Sequence, residues 1–244
     1  MPTTLCLDFG NTRLKYAVFV NGRLEAAHTL KDDRDETIHD CLEKYHPDRS
    51  ILSSVVDHNP NLENILTENT RFHRLNHHSK IPVTTPVGKP ETIGADRLAL
   101  VVSAHHDYPD KNNLVIGLGS AITFNYVNRF GEFLGGSISP GMEMRFKSLE
   151  LFTARLPLVH PHWNFPLLGY DTKTNIQSGV ILGMAKEIDG IIEEYADRYD
   201  KLNVLLCGGD ARYFMPLLKN KVTEDPDMIF KGLYVISEYN LEGA

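Results

Sequence analysis

Short apolar runs and polar breaks along the first half of the chain predict alternating strands and helices. Leu5-Cys6-Leu7 reads as a buried strand ending at Asp8, Gly10-Asn11-Thr12 as a tight turn, and Tyr16, Val18 and Val20 as a second strand. Asn21-Gly22 is a hairpin signal leading to a third strand from Arg23 to Thr29. Asp32 or Asp33 is placed to cap a helix running to Tyr45, with Ile38, Cys41, Leu42 and Tyr45 on one face and Pro47 beyond its end. A strand over Ile51 to Val56 and a short helix over Leu62 to Asn69 follow, and His73, His77 and His78 fall in a polar stretch read as loop. After the rigid loop Thr84 to Pro90, the run Leu98, Leu100 to Val102 and Ala104 predicts a largely buried helix whose first turn is Gly94-Ala95-Asp96.

The pattern then recurs. Adding 109 to each residue number lays Leu114 to Thr123 over the first strand and turn, with Gly10 on Gly119, Val18 on Val127, Gly22 on Gly131 and Leu24 on Phe133. A unit longer than about 50 residues exceeds a solenoid repeat, so two similar domains are expected, divided near residues 108–113 into 1–110 and 111–244. Ligands favour clefts between such domains. Further along, Pro140-Gly141 leads into a helix from Met142 to Ala154, and Pro157 to Asp171 reads as a loop. A long helix over Ile176 to Tyr199, a strand over Asn203 to Cys207 ending in Gly208-Gly209-Asp210, and a last helix over Met228 to Tyr239 complete the reading.

Composition narrows the class. The 244 residues are 42% hydrophobic and 23% charged, as a globular chain of one large core or two smaller ones requires. A net charge of −7 without a basic stripe argues against a nucleic-acid surface, so an anionic substrate needs local positive groups. Met1-Pro2-Thr3-Thr4 leads straight into a strand, and no apolar run of about 18 residues occurs. No signal peptide, no membrane and a cytoplasmic location are therefore expected. Cys6, Cys41 and Cys207 have no metal-binding spacing and read as reduced core residues.

Two stretches carry candidate chemistry. At the first turn, Gly10 allows positive φ and close backbone approach, so main-chain N–H groups and the Thr12 hydroxyl can face an anion, with Lys15 adding charge. Asp8 can hold Mg2+, directly or through water. The plain alternative is an ordinary hairpin with a solvated Asp and Asn. At the second, Asp96 and Arg97 stand at a positive helix end, where Asp96 can accept a proton from an alcohol and Arg97 can hold a carboxylate or phosphoryl oxygen. The plain alternative there is a helix-start Asp beside an ion-paired Arg.

Six motifs in order make the chain resemble the type III pantothenate kinases. They are Asp8-x-Gly10-Asn11-Thr12, Gly94-Ala95-Asp96-Arg97, Gly119-Ser120-Ala121-Ile122-Thr123, Leu134-Gly135-Gly136-Ser137-Ile138-Ser139-Pro140-Gly141, Ala154-Arg155-Leu156-Pro157 and Ile176-Gln177-Ser178-Gly179. The resemblance implies an α/β fold of two duplicated actin-like ATPase (ribonuclease H-like) domains with a cleft between them. It also implies a homodimer that uses ATP with Mg2+ and a monovalent cation, K+ or NH4+, to phosphorylate pantothenate in coenzyme A synthesis. Position by position, it assigns ATP to Asp8, Gly10, Asn11, Thr12, Arg13, Lys15, Gly119, Ser120, Gly208 and Gly209, and Mg2+ to Asp8. It assigns the base to Asp96 and the substrate surroundings to Val87, Gly94, Ala95, Arg97 and Thr172.

Two positions depart from the family pattern. Gly117 stands where an Asp ligates the monovalent cation, and Val87 stands where many members place a substrate-side Tyr. Altered cation dependence is one implication. A non-catalytic nucleotide-sensing relative, or a kinase for another small alcohol, is the other.

Overall fold

A computed structural model describes residues 2–240. Contacts among Cα atoms divide the chain into two compact units. The first takes the residues up to Asp110, Val127–Leu134 and those from Asp227 onward. The second takes Lys111–Tyr126 and Gly135–Pro226.

The first unit opens with β1 (Thr3–Phe9), β2 (Leu14–Val20) and β3 (Arg23–Thr29), a three-stranded antiparallel meander. Then come α1 (Asp35–Tyr45), β4 (Arg49–Ser54), α2 (Leu62–Asn69), β5 (Arg71–Arg74) and α3 (Ala95–Asp107). The sheet order is β3-β2-β1-β4-β5, with β1, β4 and β5 parallel. Alternation sorts β1 into two faces. Leu5, Leu7 and Phe9 join Ile38, Leu42, Leu62 and Leu66 in one buried cluster, while Cys6 and Asp8 face the other way. Each fully buried side chain of this kind contributes about 1.5–3 kcal/mol, more than the ~1 kcal/mol of a helix cap. That is why α1 is stable although its first turn lacks a side-chain cap. Asp32 and Asp33 do not cap it as expected: Asp32 binds Arg34 and Thr37, and Asp33 accepts from the Asn59 N–H at 2.6 Å.

The second unit contains β6 (Asn112–Leu118), most of β7 (Ala121–Val127) and of β8 (Phe133–Pro140), α4 (Met142–Leu151), α5 (Thr172–Ala196), β9 (Leu202–Cys207), α6 (Ala211–Phe214) and β10 (Thr223–Glu224). Its sheet runs β10-β9-β6-β7-β8. Ile181, Met184, Ala185 and Ile188 of α5 pack with Leu114, Ile116, Phe124 and Leu206 in a single buried cluster. The last helix, α7 (Met228–Tyr239), returns to the first unit and packs on α3. The approach is close: a Cβ on Gly232 would lie 1.9 Å from the Ala99 carbonyl oxygen, so only glycine fits.

Several boundaries differ from the sequence reading. The stretch holding His73 is not a loop but β5, and His73 is half-buried with a ring nitrogen 2.8 Å from Ser79 Oγ. Helix α5 starts four residues before Ile176, because Asp171 and Thr174 form a reciprocal capping box. Helix α4 stops at Leu151, and Thr223–Glu224 adds a short parallel strand in a polar stretch. All three cysteines are free and buried.

Candidate active site

The first turn lies at the end of β1. Four residues, Gly10 to Arg13, connect β1 to β2, closed by the Gly10 N–H donating to the Arg13 carbonyl at 3.1 Å. The turn, with Lys31 and Val56, lines a depression of about 330 Å3. Gly10 does not use positive φ as expected: among the described residues the left-handed glycines are 22, 131, 135, 136 and 208. A Cβ at Gly10 would meet only the Arg13 carbonyl, at 3.6 Å. Any demand for glycine here therefore comes from what approaches the turn rather than from the fold.

Register places the charged groups. Asp8 pairs with Lys15 across the antiparallel ladder and with Ser53 across the parallel one. Asp8 is 9% exposed, and burial pushes its carboxyl up to about 7; Lys15 opposes that rise and Asp96 adds to it. Burial prevails because Lys15 is itself only half-buried and partly screened by water. Asp96 sits on the first turn of α3, with Gly94 as the residue before the helix. Its carboxyl is also raised by burial, while the N–H groups of Arg97 and of Asp96 itself pull it down. A Cβ on Gly94 would fall 2.5 Å from Asp96 Oδ1, so the absence of a side chain at 94 leaves room for this carboxylate. The Arg97 guanidinium lies 5.6 Å from the centre of the Phe133 ring. Val87 is half-buried, in a segment tied down where Thr84 exchanges backbone hydrogen bonds with Gly131 and Phe133 at 2.8 Å.

In the second unit three turns converge on the end of β6. The turn from β6 to β7 is only Gly119-Ser120, two residues shorter than its counterpart. Gly141 donates to the Ser120 carbonyl at 3.1 Å, and a Cβ on it would sit 2.3 Å from the Gly119 oxygen. Gly208, at φ +99°, is equally constrained, 2.3 Å from the Leu118 oxygen, whereas Gly209 faces open space. Gly117, half-buried within β6 opposite Cys207, offers only its backbone.

Thr172, the first residue of α5, lines a separate groove of about 650 Å3 with Arg145, Ser148, Leu156, Asn175 and Gly179. Gln177 and Ser178 face the preceding loop instead, donating to the carbonyls of His160 and Leu167. Lys31 and Arg145 were not singled out by the sequence reading. Arg145 follows Pro140-Gly141 by one helical turn, donates to the Pro140 carbonyl at 2.8 Å and pairs with Glu187.

Among the described residues no group of three or more His, Cys, Asp or Glu is arranged to hold a metal. A divalent ion held at Asp8 would have this one carboxylate and would complete its shell with substrate phosphates and water, the pattern that suits Mg2+. One orphaned polar group supports that fit: the Ser53 hydroxyl, beside Asp8 in the parallel ladder, is buried without a partner.

The sequence model of the type III pantothenate kinases matches residues 4–194. The chain is 40% identical over 238 residues to a type III pantothenate kinase of Christiangramia forsetii, covering 97% of this chain and 98% of that one. It is 38% identical over 242 residues to that of Bacteroides fragilis, covering 97% and 98%. Among solved structures, a conserved Baf-family protein described as a transcriptional activator, from Campylobacter jejuni, matches with a TM-score of 0.62 at 22% identity. That match covers 98% of this chain and 99% of that one and is a likeness of fold.

Proposed function

Because the chain belongs to the type III pantothenate kinase family, we infer that it transfers the γ-phosphoryl group of ATP to the 4'-hydroxyl of pantothenate, opening coenzyme A synthesis. We propose Asp96 as the general base. In one step the hydroxyl proton passes to the Asp96 carboxylate, the oxygen forms a bond to the γ-phosphorus, and the bond from that phosphorus to the bridging oxygen breaks to release ADP. Such transfer depends on in-line positioning and charge neutralisation. Gly10, Asn11, Thr12, Arg13, Lys15, Gly119 and Ser120 are assigned to the phosphates, and Gly208 and Gly209 to the adenosine. Mg2+, when bound at Asp8, neutralises phosphate charge. Val87, Gly94, Ala95, Arg97 and Thr172 are assigned to pantothenate.

The observation that carries this site reading is the grouping, within one compact unit, of a buried carboxylate beside Lys15 and a second carboxylate on the first turn of α3 that acts on it. Around the phosphate turn Arg13, Lys15 and Lys31 supply the local positive charge that a chain of net charge −7 needs for an anionic substrate.

Gly117 supports a further proposal, that turnover does not depend on potassium, since the side-chain ligand is missing. Exposed Leu134 and Ile138 on the edge strand β8 support a homodimer. Sedimentation of a single monomeric species at working concentration would overturn it. Among the described residues no helix is long and apolar enough to cross a membrane.

The deciding experiment is ADP release from Mg-ATP with and without pantothenate, in potassium, ammonium and sodium buffers. Pantothenate-dependent turnover of similar size in all three is expected, and Asp96→Asn should lower kcat by about 100-fold or more, the range of general base catalysis. Near-normal turnover of Asp96→Asn would remove it as the base. ATP binding without turnover in any buffer would favour a nucleotide-sensing relative.

A further inference from the structure

Asp8 has neighbours on both sides. Lys15 lies opposite it on β2, and Ser53 lies beside it on β4. Paired residues of adjacent strands point to the same face of a sheet, so Lys15, Asp8 and Ser53 form a row across three strands. That face is not the one filled by Leu5, Leu7, Phe9 and Leu52; it carries Cys6 and Ile51 and packs beneath α3 and α7.

Ser53 is 1% exposed, and its Oγ has no hydrogen-bond partner. A buried hydroxyl without a partner is unfavourable, and most side chains avoid it. An alanine would fill the same space without that penalty. Strand neighbours lie about 4.8 Å apart, a spacing that a hydrogen bond between paired side chains can span, although Ser53 Oγ is not bonded to the carboxylate here. The other buried hydroxyl in this region without a partner, Ser103 of α3, has no such register with Asp8.

We propose that Ser53 is a positioning residue for the divalent ion: its hydroxyl donates to one Asp8 carboxylate oxygen and leaves the other turned toward the metal of the ATP complex. A carboxylate that ligates a cation is held by hydrogen bonds from beyond the metal, and losing such a partner lowers affinity by about 10–100-fold. This inference rests on the assignment of the divalent ion to Asp8.

The test is Mn2+ titrated into the protein saturated with ADP and followed by electron paramagnetic resonance, alongside thermal unfolding of the free protein. Ser53→Ala should bind Mn2+ about tenfold more weakly, with KM for Mg-ATP raised more than kcat falls and an unfolding temperature equal to or above wild type. Ser53→Thr, which keeps the hydroxyl, should recover most of the affinity. The opposite movement of stability and metal affinity separates positioning from a structural role, which would lower both. Should Ser53→Ala fail to fold, Ser53→Cys, of similar size but a weak donor, is read in the same way. Mn2+ affinity within twofold of wild type in Ser53→Ala, with binding abolished in Asp8→Asn, would overturn the proposal and leave the metal site standing. Unchanged binding in Asp8→Asn as well would overturn the metal assignment itself.

Discussion

Replacing Asp8 by Asn should stabilise the ligand-free protein at alkaline pH even as it removes the group assigned to the metal. The carboxyl is 9% exposed and raised from 3.8 to about 7, chiefly by burial. The folded protein then holds the proton more tightly than the unfolded chain does, so ionisation works against folding. Stability is at its fullest below pH 4, falls as pH rises toward 7 and levels off above it. At about 1.4 kcal/mol per unit the whole penalty is about 4 kcal/mol. Linkage places about 1.7 kcal/mol of it at pH 5, leaving about 2.5 kcal/mol to develop between pH 5 and pH 8. Urea unfolding of both proteins at these two pH values, without nucleotide and with a chelator, measures that difference and cancels the fixed cost of the substitution. Far-UV circular dichroism is the better probe, because the one tryptophan, Trp163, belongs to the other unit. Wild type should lose about 2.5 kcal/mol relative to Asp8→Asn across the interval. If the two pH dependences agree within about 0.5 kcal/mol, the scatter of a surface change, the carboxylate is solvated and the reasoning is wrong.

Other substitutions probe the remaining geometry. Gly10→Ala should leave the unfolding temperature within about 2 °C, a few tenths of a kcal/mol, yet raise KM for ATP; unchanged KM would mean no ligand approaches that turn. Gly94→Ala places a methyl 2.5 Å from Asp96 Oδ1 and should lower kcat by about 10–100-fold through misplacement of the base, with normal circular dichroism; full activity would show that this carboxylate position is unimportant. Gly232→Ala forces a methyl to 1.9 Å from the Ala99 oxygen and should destabilise by about 3 kcal/mol or more, seen as an early unfolding step. Equal stability would mean that α3 and α7 are not close-packed in solution.

The fold was readable where periodicity and turn chemistry agreed. The first three strands, α2 and α7 lie where alternation, the Asn21-Gly22 turn signal and helical spacing put them. What escaped notice is held by partners distant in sequence. The polar β5 is a strand only because β4 lies alongside it, and β10 only because β9 does. The shorter second turn was hidden because a repeat in register by sequence need not repeat its loop length. At the candidate site, Asp8 and Asp96 were visible as residue types at a strand end and a helix start. Their electrostatic interaction was not, because residues 88 apart in sequence meet only through the packing of α3 against the sheet. Ser53 gave no signal at all, since a serine near the end of a strand is commonplace.

The return of α7 to the first unit affects the order in which the protein can be made. A chain emerging from the ribosome completes β1 to α3 long before the residues of α7 appear, and domains generally fold as units during synthesis. The face of α3 that receives Gly232 therefore stays uncovered while the whole second unit is translated. The second unit, Lys111–Tyr126 with Gly135–Pro226, has no such debt to later sequence. It is positioned to fold first, with the half that bears Asp8 and Asp96 closing last. A fragment ending at residue 226 should accordingly protect the amides of β6 and β9 from hydrogen exchange while those of β1 and β4 exchange freely, so that competence for catalysis arrives only with the final helix.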